Sequence, residues 1–314
     1  MSPDLKLFLQ NLYKTSVQTG HEPKVATIYG NYNTSLFVSA EIADNQQLGE
    51  AKRMLVGLME INATCGLQKD NDEPPEKLNV ADHYEFYVKH GFPFSAEGIE
   101  EPLDLLQCTY WFEREGAISA LKRVYVHLAD PISTNGIVVL KTLVPMLNHL
   151  AGFQKVKMYG PIEGRNRNDS IVAYCTTAAA QNAVAQAVVN LGGQYVQEDL
   201  PKFVHKVGPG VGIADEPPQV TVIKGEEQKK QSFGKFISKL ICAAWETYKE
   251  NRKTTEREFL DLVQVALQTA KINPDTPHEH PERTALENMG PAFATSLKSA
   301  LIRFADKRPF RSLG

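Results

Sequence analysis

The stretch "KRVYVHL", residues 122–128, is the one on which the fold turns. Its residues alternate between apolar and polar, as a half-buried β-strand should. Val124, Val126 and Leu128 share one face; Arg123, Tyr125 and His127 share the other.

Working outward, "STNGIVVLKTLVPMLNHLAGF" carries Ile137, Leu140, Leu143, Val144, Leu147 and Leu150 at helical spacing. Ser133 or Thr134 is the expected cap, Gly152 the expected stop, and Pro145 should bend or break the helix. "FQKVKMYG" predicts a second strand, with Val156 and Met158 opposite Lys155, Lys157 and Tyr159. "NDSIVAYC" predicts a third, after the loop "GPIEGRNRN". "TTAAAQNAVAQAVVNLGG" predicts a helix that starts at Thr176 or Thr177 and ends at Gly192–Gly193. The order strand, helix, strand, strand, helix predicts the α+β class: a small mixed β-sheet with packed helices.

Further on, "SFGKFISKLICAAWETYK" places Phe233, Phe236, Ile237, Leu240, Ile241 and Ala244 on one stripe, and Thr255 with Glu258 forms a capping box for the next helix. Residues 1–120 read as an N-terminal helical/β region, a cap or a partner- or substrate-binding surface. It holds helices at "LKLFLQNLYKTS" and "QLGEAKRMLVGLMEINATCG", the latter ending at Gly66. A polar loop "GLQKDNDEPPEKLN" follows, then the aromatic stretches "HYEFYVKHGFPF" and "LLQCTYWFEREG". Residues 121–314 read as the second domain.

Composition narrows the function. A net charge of −3 leaves no bulk footprint for nucleic acid. No apolar run of about 18 residues is present to span a membrane. The N-terminus lacks the apolar core of a signal peptide. The four cysteines, Cys65, Cys108, Cys175 and Cys242, are scattered without metal-like spacing and read as reduced thiols of a cytoplasmic protein. A protein secreted by a non-cleaved signal would look the same.

The polar strand faces carry Arg123, Tyr125, His127, Lys155, Lys157, Tyr159, Ser170 and Tyr174. Arg165 and Arg167 lie in the adjoining loop, where alternation from Arg167 would point Arg165 away. His205 and Lys206 open the glycine-studded stretch "HKVGPGVGIADEPP". Such a face is either ordinary solvated sheet or a site for a small, strongly charged anion such as phosphate. A Lys among other cations suits a base, and a strand His suits an acid or a structural role. No nucleotide loop, HExxH or paired CxxC competes. "HEHPERT", residues 278–284, reads as a polar loop before a metal site.

"HKVGPGVGIADEPP", "SFGKFISKLICAAW" and "NPDTPH", preceded in order by "RVYVHL", "KVKMYG" and "RNDSIVAY", resemble the HopA family of type III secretion effectors. That family includes related enzymes of bacterial peptide natural-product pathways. The resemblance covers roughly residues 121–282. It implies a fold similar to phosphothreonine-lyase effectors, and elimination of phosphate from phosphoserine or phosphothreonine to leave a dehydroamino acid. The setting it implies is maturation of a ribosomal peptide such as a lanthipeptide, with a phosphorylated precursor peptide as partner and a separate kinase upstream. The alternatives are an effector secreted into a host cell and acting on a host phosphoprotein, or a non-catalytic phosphopeptide- or partner-binding module. Under the resemblance Lys157 is the base, His127 the acid, and Arg165, Arg167, Lys206, Tyr174, Lys155 and Arg123 bind phosphate or substrate. No cofactor or metal is implied. The Lys-x-His strand motif of phosphothreonine lyases stands here as Tyr125-Val126-His127, without its Lys. The expected role of Gly208, Gly210 and Gly212 is to let the backbone pass close to substrate.

Overall fold

Apolar alternation and helical stripes become two compact units in the computed structural model. It describes residues 1–33, 53–54, 56–58, 61, 65–68, 76–78, 109–129, 132–160, 164–165, 167–223, 231–280 and 283–306. One unit comprises Met1–Tyr32, Lys202–His205 and Ala214–Gly314; the other comprises Asn33–Pro201 and Lys206–Ile213. The chain therefore does not divide at residue 120: its first helix belongs with the C-terminal helices.

The helical unit holds α1 (Pro3–Thr19), α2 (Val25–Asn33, whose last residue falls in the other unit), α5 (Phe233–Glu250), α6 (Glu256–Thr269), α7 (Arg283–Met289) and α8 (Ala292–Asp306). The α5 stripe forms because its apolar side chains recur every turn, and Phe233, Phe236, Ile237, Leu240, Ile241 and Ala244 are all fully buried. Ser232 caps α5 by accepting from Lys235 N–H, and the Thr255–Glu258 capping box opens α6 as expected. Tyr13 of α1 stacks on Phe259 and meets Trp245 and Tyr248 edge-on, at 6.0–6.2 Å between ring centres. These contacts fix the N-terminal helix to α5 and α6.

The other unit is built on a sheet whose strands are β1 (Cys65–Gln68), β2 (Glu76–Leu78), β3 (Thr109–Glu113), β4 (Lys122–Val126), β5 (Phe153–Tyr159), β6 (Ile171–Cys175), β7 (His205–Gly208, whose first residue falls in the helical unit) and β8 (Val211–Asp215, whose last two residues fall in the helical unit). Their spatial order is β2-β1-β3-β5-β6-β4-β8-β7. The α+β class holds. The sheet is larger than the small one expected, and its β1–β2, β1–β3, β3–β5, β5–β6 and β4–β6 pairings are all antiparallel rather than mixed. Two helices, α3 (Ile132–His149) and α4 (Ala178–Val189), pack on one face. Val124, Val126, Val156, Met158, Ile171 and Ala173 meet Leu140, Leu143, Val184 and Val188 there, so the alternation read from the sequence sets the core side.

Several local expectations change. Helix α3 starts at Ile132, so Ser133 lies inside its first turn and is not the cap. The helix runs through Pro145 to His149 without breaking. Pro145 has no N–H to give to the carbonyl of Lys141, a residue on the exposed side of the helix. Thr177 caps α4 as expected. Gly66 lies in β1 rather than at a helix end, and the loop expected over residues 66–79 contains β2, paired to β1. "LLQCTYWFEREG" contains β3, while "HYEFYVKHGFPF" lies outside the described residues.

Candidate functional site

The sheet face opposite α3 and α4 carries the candidate residues in transverse rows. Glu113 on β3 lies opposite Lys155 on β5, which lies opposite Tyr174 on β6 and, beyond it, Arg123 on β4. The next row runs Trp111, Lys157, Val172, Tyr125. Tyr159 N–H bonds to the Ser170 carbonyl one row further on, and His127 stands two residues beyond Tyr125. Antiparallel register thus brings Arg123, His127, Lys155, Lys157, Tyr159 and Tyr174 to one side of one sheet.

It is not a solvated face. Arg123, Tyr125, His127, Tyr159 and Tyr174 are all buried, and Lys155 and Lys157 are half-buried. The cations are held by aromatic rings. Lys155 Nζ lies 4.9 Å from the centre of the Trp111 ring and 5.0 Å from that of Tyr174, and Arg123 Cζ lies 5.1 Å from Tyr174. Lys157 Nζ lies 4.4 Å from the Tyr159 ring and 5.4 Å from Trp111, and donates to the Tyr159 hydroxyl at 2.6 Å. Arg167 Cζ lies 4.1 Å over the same Tyr159 ring. Each such contact is worth about 0.5–2 kcal/mol. Among the described residues the Lys157 ammonium has no carboxylate partner.

Arg167 is also bound from below. Its Nε and Nη2 donate to the two carboxylate oxygens of Asp169, at 2.8 and 3.2 Å, and both side chains are largely buried. Ser170, on the polar face by alternation, is a loop anchor: its hydroxyl reaches the carbonyls of Arg167 and Gly164 and accepts from Leu128 N–H. Arg165 is half-buried in a helical turn with Gly164, so simple alternation with Arg167 does not apply.

His127 Nδ1 lies 2.7 Å from the carbonyl of Asp199; a carbonyl only accepts, so Nδ1 carries the proton. That leaves Nε2 as the free ring nitrogen, without a hydrogen-bond partner among the described residues. Burial holds the imidazole below its ordinary 6.5; the bond to Asp199 and the Asp199 and Asp169 carboxylates pull the other way. His127 and Lys157 share a face but lie two strands apart, about 10 Å between backbones.

Two expectations fail. Lys206 does not join the cluster: it lies on edge strand β7, half exposed, and pairs with Glu198. The glycine stretch is a β-hairpin, not a substrate loop. A two-residue connection joins β7 to β8, and Gly210, at φ +58°, sits so close that a Cβ would fall 2.3 Å from the Gln197 carbonyl and 3.1 Å from that of His127. Gly210 O accepts from His127 N–H at 2.9 Å. The glycine is needed to lay the hairpin against the strand that carries His127. His205 stacks on His278 at 4.9 Å, and His280 N–H bonds to Asp215.

Trp111, Asp169 and Asp199 were not legible as site residues. The alternation of "TYWFE", with Tyr110 and Phe112 in the core, was the available signal for Trp111.

Fold and face define an α+β protein with a ring-lined cationic sheet surface. Residues 107–279 match the model of the HopA1 effector protein family, and the chain belongs to that family. It is similar in fold to two solved structures from Pseudomonas syringae. The effector protein from pv. syringae strain 61 is 12% identical, with 88% of this chain and 98% of that one covered and a TM-score of 0.59. The effector protein from pv. tomato strain DC3000 is 15% identical with the same coverage and a TM-score of 0.55. None of the curated proteins compared matches the chain. No described helix is long and apolar enough to cross a membrane.

Proposed function

We propose that the chain is a type III effector, delivered into a host cell, that binds a phosphorylated Ser or Thr of a host protein on the cationic sheet face and eliminates the phosphate. The observation that carries this reading is Lys157: a half-buried ammonium held by two rings and a hydroxyl, with no carboxylate partner among the described residues. A cation so placed gains most from an anionic ligand. Arg167, held by Asp169 and lying over the same Tyr159 ring, adds a second positive charge to the face. Family membership favours the effector setting over maturation of a precursor peptide.

In the elimination, the Lys157 amine, having first passed its own proton to solvent, takes the Cα proton, and the Cβ–O bond electrons leave with phosphate. The Cα–Cβ double bond forms, and an acid supplies a proton to the leaving oxygen. His127 Nε2 is the acid candidate. Burial keeps it neutral, so it serves only after gaining a proton, which the charge of a bound phosphate dianion favours. The phosphate is installed beforehand by a kinase.

A second reading, a binding module without turnover, draws support from the neutral His127 and its two-strand separation from Lys157. Incubating the protein with a phosphothreonine peptide and reading its mass separates the two. Loss of one phosphoric acid, abolished by Lys157→Ala, supports the lyase. Recovery of threonine means hydrolysis and defeats it; an unchanged mass with retained binding leaves the module.

A further inference from the structure

Lys157 and Tyr159 stand two residues apart on β5, with both side chains on the cationic face, and Lys157 Nζ lies 2.6 Å from the Tyr159 hydroxyl. The lysine donates in that bond, so the phenol oxygen accepts and the phenol keeps its own proton to give elsewhere. Arg167 Cζ lies 4.1 Å from the centre of the same ring and Lys157 Nζ 4.4 Å, so two cations face one phenol. Positive charge already in place there stabilises a phenolate as it develops.

Elimination makes a geometric demand. The base must reach the hydrogen on Cα and the acid must reach the oxygen on Cβ, each within about 2.6–3.2 Å between heavy atoms. A peptide lying on a sheet presents one side to it, so the proton and the phosphate depart from that same side. Base and acid then stand next to each other, as Lys157 and Tyr159 do. Lys157 and His127 are two strands apart, about 10 Å between backbones.

Resting on the lyase reading, we propose that Tyr159 is the catalytic acid of a syn elimination and exchanges its proton with Lys157. The Lys157 amine takes the Cα proton, and the electrons of that bond form the Cα–Cβ double bond. The Cβ–O electrons leave on the phosphate oxygen, which takes the Tyr159 hydroxyl proton. The phenolate then recovers a proton from the Lys157 ammonium across the 2.6 Å contact. Amine and phenol are both restored, the proton lost from Cα is balanced by the one gained by phosphate, and none is drawn from solvent during turnover.

The test uses the full chain, a phosphothreonine peptide and the same peptide with its phosphate as the methyl ester. The free phosphate needs a proton to leave, whereas the methyl ester leaves as methyl phosphate dianion without one. Tyr159→Phe keeps the ring beneath both cations and removes only the acid. It should lower kcat on the phosphothreonine peptide by about a hundredfold or more, and on the methyl ester by less than about tenfold. KM for the phosphothreonine peptide should move by less than about tenfold. His127→Gln should keep kcat on that peptide within about tenfold of wild type. A Tyr159→Phe variant that keeps its activity would overturn the proposal. So would an equal loss on both peptides, which would leave the hydroxyl only positioning Lys157. A large loss confined to the free phosphate in His127→Gln would overturn it too, giving the acid to His127. A wild type that removes no phosphoric acid from the phosphothreonine peptide defeats the lyase reading itself, and this assignment with it.

Discussion

Lys157 donates a 2.6 Å hydrogen bond to the hydroxyl of Tyr159, two residues further along the same strand, and lies over the face of that same ring. The hydroxyl and the ring are separable. Tyr159→Phe keeps the ring and removes the acceptor, whereas Lys157→Met removes the charge. Lys157→Met should weaken binding of a phosphothreonine peptide by roughly 1.5–3 kcal/mol, the range for hydrogen bonds to charged groups. Tyr159→Phe should cost less than half of that. Isothermal titration decides it, with the unphosphorylated peptide as baseline. Equal losses for the two variants would show that the hydroxyl, not the ammonium, holds the ligand.

Arg167 and Asp169 should act as a unit in stability. Asp169 is buried, and truncating Arg167 leaves its carboxylate without that partner. Breaking a buried pair from one side costs about 3–5 kcal/mol, so Arg167→Ala should destabilise by about 3 kcal/mol. Asp169→Ala should be comparable, and the double variant well short of the sum. Urea unfolding of the four proteins measures the coupling; additive losses would mean that the pair contributes nothing as a pair. Phosphopeptide binding is better read with Arg167→Lys, which keeps the charge and gives up the two-pronged donor set.

How far the sequence could be read follows from which interactions are local. Alternation in residues 122–128 and 153–159 assigned Val124 and Val156 to the core and Arg123 and Lys155 to the opposite face, where Tyr174 of the third strand was also placed, because side-chain direction depends only on the strand period. The helical stripe of α5 was legible for the same reason. Partners distant in sequence were not. Asp199 reaches His127 across 72 residues, and Trp111 meets Lys157 only through the β3–β5 register. The glycines of "GPGVG" were visible as a loop signal, but their role depends on which strand the hairpin lies beside. Lys206 was expected beside the anion site from its place at the mouth of the glycine stretch, but its place on the edge strand is set by pairings distant in sequence.

His127 should make stability fall on mild acidification. Its folded-state pKa lies below the ordinary 6.5, so between those two values the unfolded chain binds more protons than the folded one. The stabilising contribution is complete above pH 6.5, is lost as pH falls toward the folded value, and is flat below it. Within that window the slope reaches at most about 1.4 kcal/mol per pH unit. Urea midpoints at pH 7.5, 6.5 and 5.5 for wild type and His127→Gln isolate it, since every other titrating group is common to both. The gap between the two proteins should change with pH only below 6.5. A constant gap would mean that the folded imidazole is not shifted.

Gly210 and Gly20 both adopt positive φ, +58° and +69°, yet they should respond differently to the same substitution. At Gly20, which ends α1, an added Cβ meets nothing within 4 Å, so Gly20→Ala carries only the left-handed backbone penalty of about 1–2 kcal/mol. At Gly210 the same methyl would lie 2.3 Å from the Gln197 carbonyl oxygen and 2.6 Å from Val196 Cβ. Backbone and a β-branched carbon cannot swing aside as a flexible side-chain end would, so the hairpin must move. Gly210→Ala should therefore cost about 2–5 kcal/mol, the backbone penalty plus overpacking of about 1–3 kcal/mol. The displacement is expected to reach the site, because Gly210 O accepts the N–H of His127 and the ring of His127 is fixed in turn by Asp199. Chemical denaturation gives the stability change. The pH dependence of the His127 ring carbons by NMR gives the local one: in Gly210→Ala its titration should move up toward 6.5 as the burial that depresses it is relaxed. An unchanged midpoint in a destabilised variant would show that the hairpin supports the sheet without positioning the histidine.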